Sequence, residues 1–437
     1  MRIAFVGCGF VFDIYMRTKW AHPELEVCGV FDINTDRSKT VGEHYGFHVY
    51  PSMEALLSDP RVEIVVNLTS IRSHYDVSKR ALLAKKHVYS EKPLTTEVEQ
   101  TRELFAIAAQ QGVVFTGAPC NLFCDAVSTM WKAVRDGAIG KPLLVYAEVD
   151  DNPIHLMNVE NVRSPTGAPW PYVEEFQEGC TAEHIGYHLI WICAMFGPVI
   201  SVTAYSKSLV PHKTKTPLSP PDTPDFSVAC LDFEAGVSAR ITCSMIAPRD
   251  HRLRIVGEEG ELCADSYDHD RSPIHLERFS SVSLTARKLR TLRTRPRWGS
   301  VFGIGGRKLP LIHRWKSFAV ETERGTSRTL KQRFVGWLRR REVNAQDKFL
   351  GIAEMARAIR EQRPQPLPPD FLIHLNEITY LVQRAGPKGV ATVPQTSFRP
   401  LSPLPDVANY PHDYRHSYRM RLLEKLLGSA MNTFHRS

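Results

Sequence analysis

No run of about 18 apolar residues occurs in the chain, so the sequence offers no helix to span a membrane. The opening Met1-Arg2-Ile3-Ala4-Phe5-Val6 has one charge and an apolar run. Gly7 and Gly9 interrupt that run and Asp13 follows, which speaks against a secretory signal. Paired CxxC motifs are missing too. Nine cysteines, an odd number, are scattered mostly through apolar stretches, where free cysteine behaves as a small hydrophobe. Cys120 and Cys124 alone are a weak metal signal. The expectation is a reduced, cytoplasmic protein without metal. Internal repeats and recognised nucleic-acid modules are also absent, so no nucleic-acid partner is expected.

What is present is an ordinary apolar fraction in 437 residues, too long for one hydrophobic core. Buried strands are predicted at Arg2–Val6, Leu25–Phe31, Val62–Leu68, His87–Ser90 and Val113–Thr116. Helices are predicted between them, including Thr35–Tyr45 and Thr96–Gln111. That alternation implies a parallel sheet built from βαβ units. After about residue 120 the strands lengthen: Leu143–Asp150, Ile200–Ser206, Phe226–Phe233, Gly236–Ser244 and Leu253–Val256. Their alternation and Gly or Pro breaks predict a mostly antiparallel sheet. Helices are predicted at Phe349–Arg363 and Phe371–Ala385. The fold class is therefore α/β, an N-terminal Rossmann parallel sheet followed by an α+β domain with a large mostly antiparallel sheet. The division is 1–120, 121–398 with a basic insertion at about 271–343, and a tail at 399–437.

Gly7-Cys8-Gly9-Phe10-Val11-Phe12 ends the first strand and opens a helix. Gly7 suits a tight turn, and Gly9 lets the backbone approach a pyrophosphate at a helix N-terminus. Phe12 occupies the usual third glycine position. Asp32 ends the second strand about 20 residues on, where a carboxylate accepts both ribose hydroxyls and repels a 2′-phosphate. NAD is therefore favoured over NADP. The competing reading makes Asp32 the N-cap of the next helix.

Ala84-Lys85-Lys86-His87-Val88-Tyr89-Ser90-Glu91-Lys92-Pro93-Leu94 places Glu-Lys-Pro directly after a short strand. With the GxG start, this resembles the glucose–fructose oxidoreductase/inositol dehydrogenase (Gfo/Idh/MocA) family. Asn67-Leu68-Thr69-Ser70 with His74, Asp136 to Pro142, Val256 to Leu262, and Asp347 to Pro364 with the helix around His374 agree with it. The resemblance covers about residues 1–270 and 345–395. It implies that Lys92 faces the nicotinamide and the reacting hydroxyl, where a cation stabilises the developing alkoxide. It implies that Gly7, Gly9, Phe10, Val11, Asp32, Asn67, Thr69, His74, Glu91 and Lys92 surround the cofactor. Asn121, Trp170, Glu175 and Tyr187 fall to the substrate side.

The family's Asp-x-x-x-His element matches Glu183-His184-Ile185-Gly186-Tyr187-His188. His188 takes the place of the family base. His184 stands where an aspartate is usual and brings no fixed negative charge. Glu183 is one residue away and off that face by helical geometry. A metal pair at i,i+4 and two satisfied core histidines are the alternatives. Trp170 stacking on a sugar, with Glu174 or Glu175 binding hydroxyls, competes with a rigid loop capped by a buried tryptophan.

The net charge of +8 is unevenly spread. Arg287 to Arg341 holds 17 Lys or Arg against Glu321 and Glu323, about +15, leaving about −7 elsewhere. Leu330, Phe334, Trp337 and Leu338 among arginines resemble an interfacial amphipathic helix. Three readings are open: an anionic membrane surface at the inner leaflet, a grip on a phosphate-rich substrate, or a solvated face. The functional expectation is an NAD(H)-dependent oxidoreductase acting on a sugar, cyclitol or nucleotide-sugar hydroxyl, forming a homo-oligomer. An NAD-dependent glycosidase and a non-catalytic dinucleotide-binding protein are the alternatives.

Overall fold

Apolar runs without alternation need cover on both faces. Ile3, Ala4, Phe5, Ile64, Val65 and Val66 are all fully buried. They lie in the computed structural model, which describes residues 1–288, 299, 303–313 and 346–409. The first unit runs β1 (Arg2–Val6), α1 (Phe10–Met16), β2 (Glu26–Phe31), α2 (Thr35–Tyr45), α3 (Met53–Ser58), β3 (Ile64–Asn67), α4 (His74–Leu83), β4 (His87–Ser90), α5 (Val98–Gln111) and β5 (Phe115–Gly117). The strands pair in parallel in the order β2-β1-β3-β4-β5. The chain crosses from β2 to β3 over β1, so a crevice opens at the carboxyl ends of β1 and β3. Asn34 caps α2, its side chain accepting from the Asp36 and Arg37 amides. The capping role is thus filled beside Asp32, whose carboxylate is left facing the crevice.

The second unit continues with α6 (Asp125–Arg135), β6 (Pro142–Asp150), α7 (Tyr172–Glu178), α8 (Cys180–His184), α9 (Gly186–Phe196), β7 (Val199–Lys207), β8 (Phe226–Phe233), β9 (Ser238–Ser244), β10 (Leu253–Gly257), β11 (Gly260–Ala264), β12 (Ile274–Arg278), α10 (Ser281–Ala286) and β13 (Arg307–Lys308). α11 (Leu350–Arg360), α12 (Pro369–Gln383) and β14 (Val390–Thr392) follow. The nine strands lie in the order β13-β12-β11-β10-β6-β9-β8-β7-β14, antiparallel except for β6 beside β9. Helices α8 and α12 pack against the sheet.

Two placements differ from the sequence pattern. β12 pairs with β11 along its whole length, from Gly260↔Arg278 to Ala264↔Ile274, so residues 274–278, inside the segment read as an insertion, form part of the sheet. Arg287, the first of the basic run, ion-pairs with Glu277 and Glu261. The stretch 330–341, with Leu330, Phe334, Trp337 and Leu338, and the tail from residue 410 lie outside the described residues.

The second difference is α11. Placed by sequence in the 121–398 domain, it packs into the first core. Phe349 meets Phe5 and Tyr15 edge-on at 6.1 and 5.9 Å and stacks on His22 at 5.9 Å. Gly351 gives Tyr89 room: a Cβ there would run into the Tyr89 ring and hydroxyl. Both units therefore share chain, and the turn after β4 sits where they meet.

Candidate active site

The Gly-rich turn is built around a close approach. Gly7 has φ +99°, and a Cβ on it would lie 2.6 Å from the Leu68 carbonyl, so only glycine fits. Nothing lies within 4 Å of where a Gly9 Cβ would sit, which leaves the backbone open to a ligand. Phe12, in place of the third glycine, packs edge-on against Phe5 at 5.1 Å, an aromatic joint between helix and strand. A cavity of about 570 Å³ opens here, lined by Gly7, Gly9, Asp32, Ile33, Thr69 and Ser70 among others. The Asp32 carboxylate accepts from the Cys8 amide at 2.7 Å and the Asn34 amide at 2.8 Å. Lone pairs remain for ribose hydroxyls. An open glycine backbone and a fixed carboxylate rim fit a dinucleotide.

The other expected cofactor residues divide. Thr69 lines the cavity. Asn67 spends its side chain internally, donating to the His74 carbonyl and Ser78 and accepting from Thr69. His74 is buried with its ring nitrogens on the Pro93 and Thr69 carbonyls, at 2.8 and 3.1 Å. These two shape the loops without lining the cavity. Phe10 and Val11 open α1, half-buried and outside the lining.

The cavity is clasped by the second unit. Asp13 accepts from the Thr166 amide at 3.1 Å and hydroxyl at 2.6 Å, and from Tyr45 at 2.6 Å. Arg37 donates to the Thr166 carbonyl and hydroxyl at 2.9 and 2.8 Å and to the Cys8 carbonyl at 2.9 Å. Burial would raise the Asp13 pKa, but the bonds from Ser164, Thr166 and Tyr45 outweigh it and hold the carboxyl below its ordinary value.

Past β4, the Lys92 ammonium donates to the Glu183 carbonyl at 2.5 Å and carboxylate at 2.6 Å, and lies 5.6 Å from the Tyr187 ring centroid. Burial would lower its pKa, but Glu183, Tyr187 and Glu91 outweigh it, so Lys92 stays charged. Glu91 accepts from Tyr15 at 2.8 Å and faces Lys348 at 3.7 Å. Lys348 reaches the Tyr187 hydroxyl at 3.4 Å. Trp170, half-buried, donates to Glu175. Burial, and then the Glu183 charge, push the Glu175 carboxyl well above its ordinary range. Asn121 donates to the Tyr187 carbonyl at 3.0 Å, and its own carbonyl oxygen is buried without a partner.

The two histidines are not equivalent. His188 is fully buried, with Nε2 3.1 Å from both the Glu148 and His251 carbonyls and its ring edge-on to Trp191 and Tyr267. Burial and the neighbouring His251 push its pKa down to about 3. Both features suit a packing element and make a weak base near neutral pH. His184, like His188, keeps a buried Nδ1 without a partner, but its Nε2 lies 3.4 Å from the Asp151 carboxylate and not on backbone carbonyls. Burial holds it below its ordinary value.

Sequence reasoning missed Asp151, Arg249, His251, Tyr267, Asp268 and Lys348, and set Glu183 aside. Asp151 comes alongside Arg249 and His251 because Asp150 and Asp250 bridge β6 to the chain before β10. The only signal was charged residues just past strand ends. Among the described residues, no group of three or more His, Cys, Asp or Glu is arranged to hold a metal, and no helix is long and apolar enough to cross a membrane.

A nucleotide-binding sheet with a lysine at the end of its fourth strand defines a dinucleotide-dependent oxidoreductase. Residues 1–118 match the model of the oxidoreductase family with an NAD-binding Rossmann fold, and 127–263 match the Gfo/Idh/MocA C-terminal domain, together more than half the chain. The protein belongs to the Gfo/Idh/MocA family; it is an NAD-dependent oxidoreductase acting on CH–OH groups. It is 24% identical over 287 residues to an uncharacterised oxidoreductase of Synechocystis, covering 63% of this chain and 74% of that one. It is 23% identical over 270 residues to myo-inositol 2-dehydrogenase of Thermotoga maritima, covering 61% and 75%. The fold is similar to that of the WlbA dehydrogenase of Bordetella pertussis in complex with NADH and UDP-GlcNAcA, with TM-score 0.64 at 15% identity over 91% of this chain and 98% of that one.

Proposed function

We propose that the protein oxidises or reduces a ring hydroxyl of a sugar-like substrate, with a nucleotide-linked sugar the leading class. The observation that carries this reading is the Lys92 ammonium, fixed by Glu183 beside the neutral His184. The inositol and UDP-sugar chemistry in the names of similar proteins supports the substrate class.

NAD supplies the hydride acceptor or donor. Two of the three Lys92 donors are taken by Glu183, which leaves one for the substrate oxygen. There the cation stabilises charge as the hydroxyl proton departs. His184 Nδ1 takes that proton. Glu175, fixed by Trp170, hydrogen-bonds a neighbouring hydroxyl, and Asn121 Oδ1 accepts from one. His188 holds α9 against β6 instead of acting as base. The test is a panel of sugars, cyclitols and nucleotide sugars with NAD, monitored by NADH absorbance. Stoichiometric NADH with product supports net oxidation. Product without net NADH would favour the glycosidase, and no turnover across all three classes would reject the substrate class.

We also infer that the basic stretch 287–341 attaches the enzyme reversibly to anionic lipid, supported by its charge of about +15. Flotation should rise with anionic vesicle content, fall with salt and vanish when 288–341 is deleted. Equal flotation with neutral vesicles rejects the idea.

A further inference from the structure

His184 stands where the family pattern has a carboxylate, and nothing on its own helix replaces that charge facing its Nε2. The charge comes instead from the sheet. Asp151, just past β6, puts Oδ2 3.4 Å from His184 Nε2 and Oδ1 3.4 Å from His251 Nε2. Arg249 Nη1 lies 3.3 Å from Oδ1. His251 Nδ1 lies 3.4 Å from Asp268 Oδ1, and Arg249 also pairs with Asp268. Tyr267 closes the cluster, stacked on His251 at 4.2 Å and on Tyr187 at 4.6 Å. His184 and His251 are the buried members, at 9% and 3% side-chain exposure, and Arg249, at 27%, is the one nearest solvent.

Resting on the reading of His184 as base, we propose that Asp151 is its positioning residue. The carboxylate accepts the Nε2 proton of the neutral ring, which leaves the Nδ1 lone pair for the substrate hydroxyl. When Nδ1 takes the proton, the carboxylate faces an imidazolium. This is the orienting and charge-stabilising part a carboxylate plays behind a histidine base. The 3.4 Å separation is that of a substrate-free site, where such contacts are often long. Arg249 and His251 keep Asp151 ionised. Burial would raise the Asp151 pKa, but His251, His184 and Arg249 outweigh it. Asp151 and Asp268 in turn hold His251 above its ordinary value against burial. The charged groups facing His184 are Asp151 after β6, Lys92 after β4, Glu183 on α8 and His251 before β10. Asp151 and Glu183 raise the His184 pKa, and Lys92 and His251 lower it. Of the two carboxylates, Glu183 is engaged by Lys92.

The test is a histidine imidazole NMR titration of the full-length chain, with His184→Gln to assign the signal. In Asp151→Asn the ring loses an opposite charge, so its pKa should fall by about 1 unit or more. The Nε2–H tautomer should lose its preference. In turnover the acidic limb should move to lower pH and kcat should drop, with KM nearly constant. A merely structural Asp151 would lower activity at all pH values without moving the limb. If Asp151→Asn folds poorly, Asp151→Ala with added formate takes its place, and recovery of kcat supports the role. An unchanged His184 titration and tautomer in a folded Asp151→Asn protein overturns it. If Lys92→Ala and His184→Gln both keep full turnover, the reading of the site fails instead, whatever the titration shows.

Discussion

Lys92 and His188 came from the same family resemblance and lie in different surroundings, Lys92 on the Glu183 carboxylate and His188 against the Glu148 and His251 carbonyls. Lys92 was legible because Glu-Lys-Pro after a strand fixes a backbone turn, and the turn fixes the side chain. His188 was readable only as a helix position, and which way a helical residue faces depends on what packs there. Asp151 was invisible because its neighbours lie about 100 residues away and meet it only through strand register. Lys92→Ala should lower kcat by roughly 10²–10⁴-fold while NAD affinity stays nearly intact. His188→Leu should lower the melting temperature, costing about 1–3 kcal/mol as the Glu148 and His251 carbonyls lose their donor. Its turnover per folded molecule should stay closer to wild type than that of His184→Gln. A folded His188→Leu with turnover as low as Lys92→Ala would restore His188 as base. Asp32→Ala should weaken NAD binding about tenfold or more and relax discrimination against NADP, measured by titrating both cofactors.

At the scale of elements, buried runs and turn residues were readable. The strands His87–Ser90 and Phe226–Phe233 and the helix Thr35–Tyr45 fall where their patterns place them. The pair β11–β12 was only half seen, because five-residue strands separated by a polar loop leave a weak period. The clasp of Thr166 on Asp13 and Arg37 had no sequence signature, since it joins a loop of the second unit to two helices of the first. Thr166→Val removes two hydroxyl contacts to charged partners, each of order 1.5–3 kcal/mol. NAD should then dissociate faster, about tenfold by stopped-flow fluorescence, and proteases should cut residues 158–171 sooner. Unchanged rates would reduce the clasp to packing. The same clasp sets a pH dependence. Asp13 has a folded pKa below its unfolded value of about 3.9. Its contribution is therefore present above pH 4 and lost as pH falls through the folded pKa. Asp13→Asn should flatten the acid limb of thermal stability.

At the scale of the whole molecule, two domains in series were the natural sequence reading, because the strand pattern changes near residue 120. The helix that returns at 350–360 was legible as a helix, but its destination was not, since periodicity says which face is apolar and not what it meets. Gly351→Ala, which forces that helix off the buried Tyr89, should destabilise both units together in one thermal transition. Two separated transitions would count against a shared core.

The same return has a consequence during synthesis. When β5 leaves the ribosome, the seat for Phe349 against Phe5, Tyr15 and His22 is still vacant, and more than 200 residues have yet to be translated. At about 5–20 residues per second, that interval lasts roughly 10–50 seconds. Throughout it the nascent nucleotide-binding half carries an apolar notch, a natural target for holding chaperones. A stalled chain ending near residue 120 should bind such chaperones and resist protease poorly. One extended past residue 360 should release them.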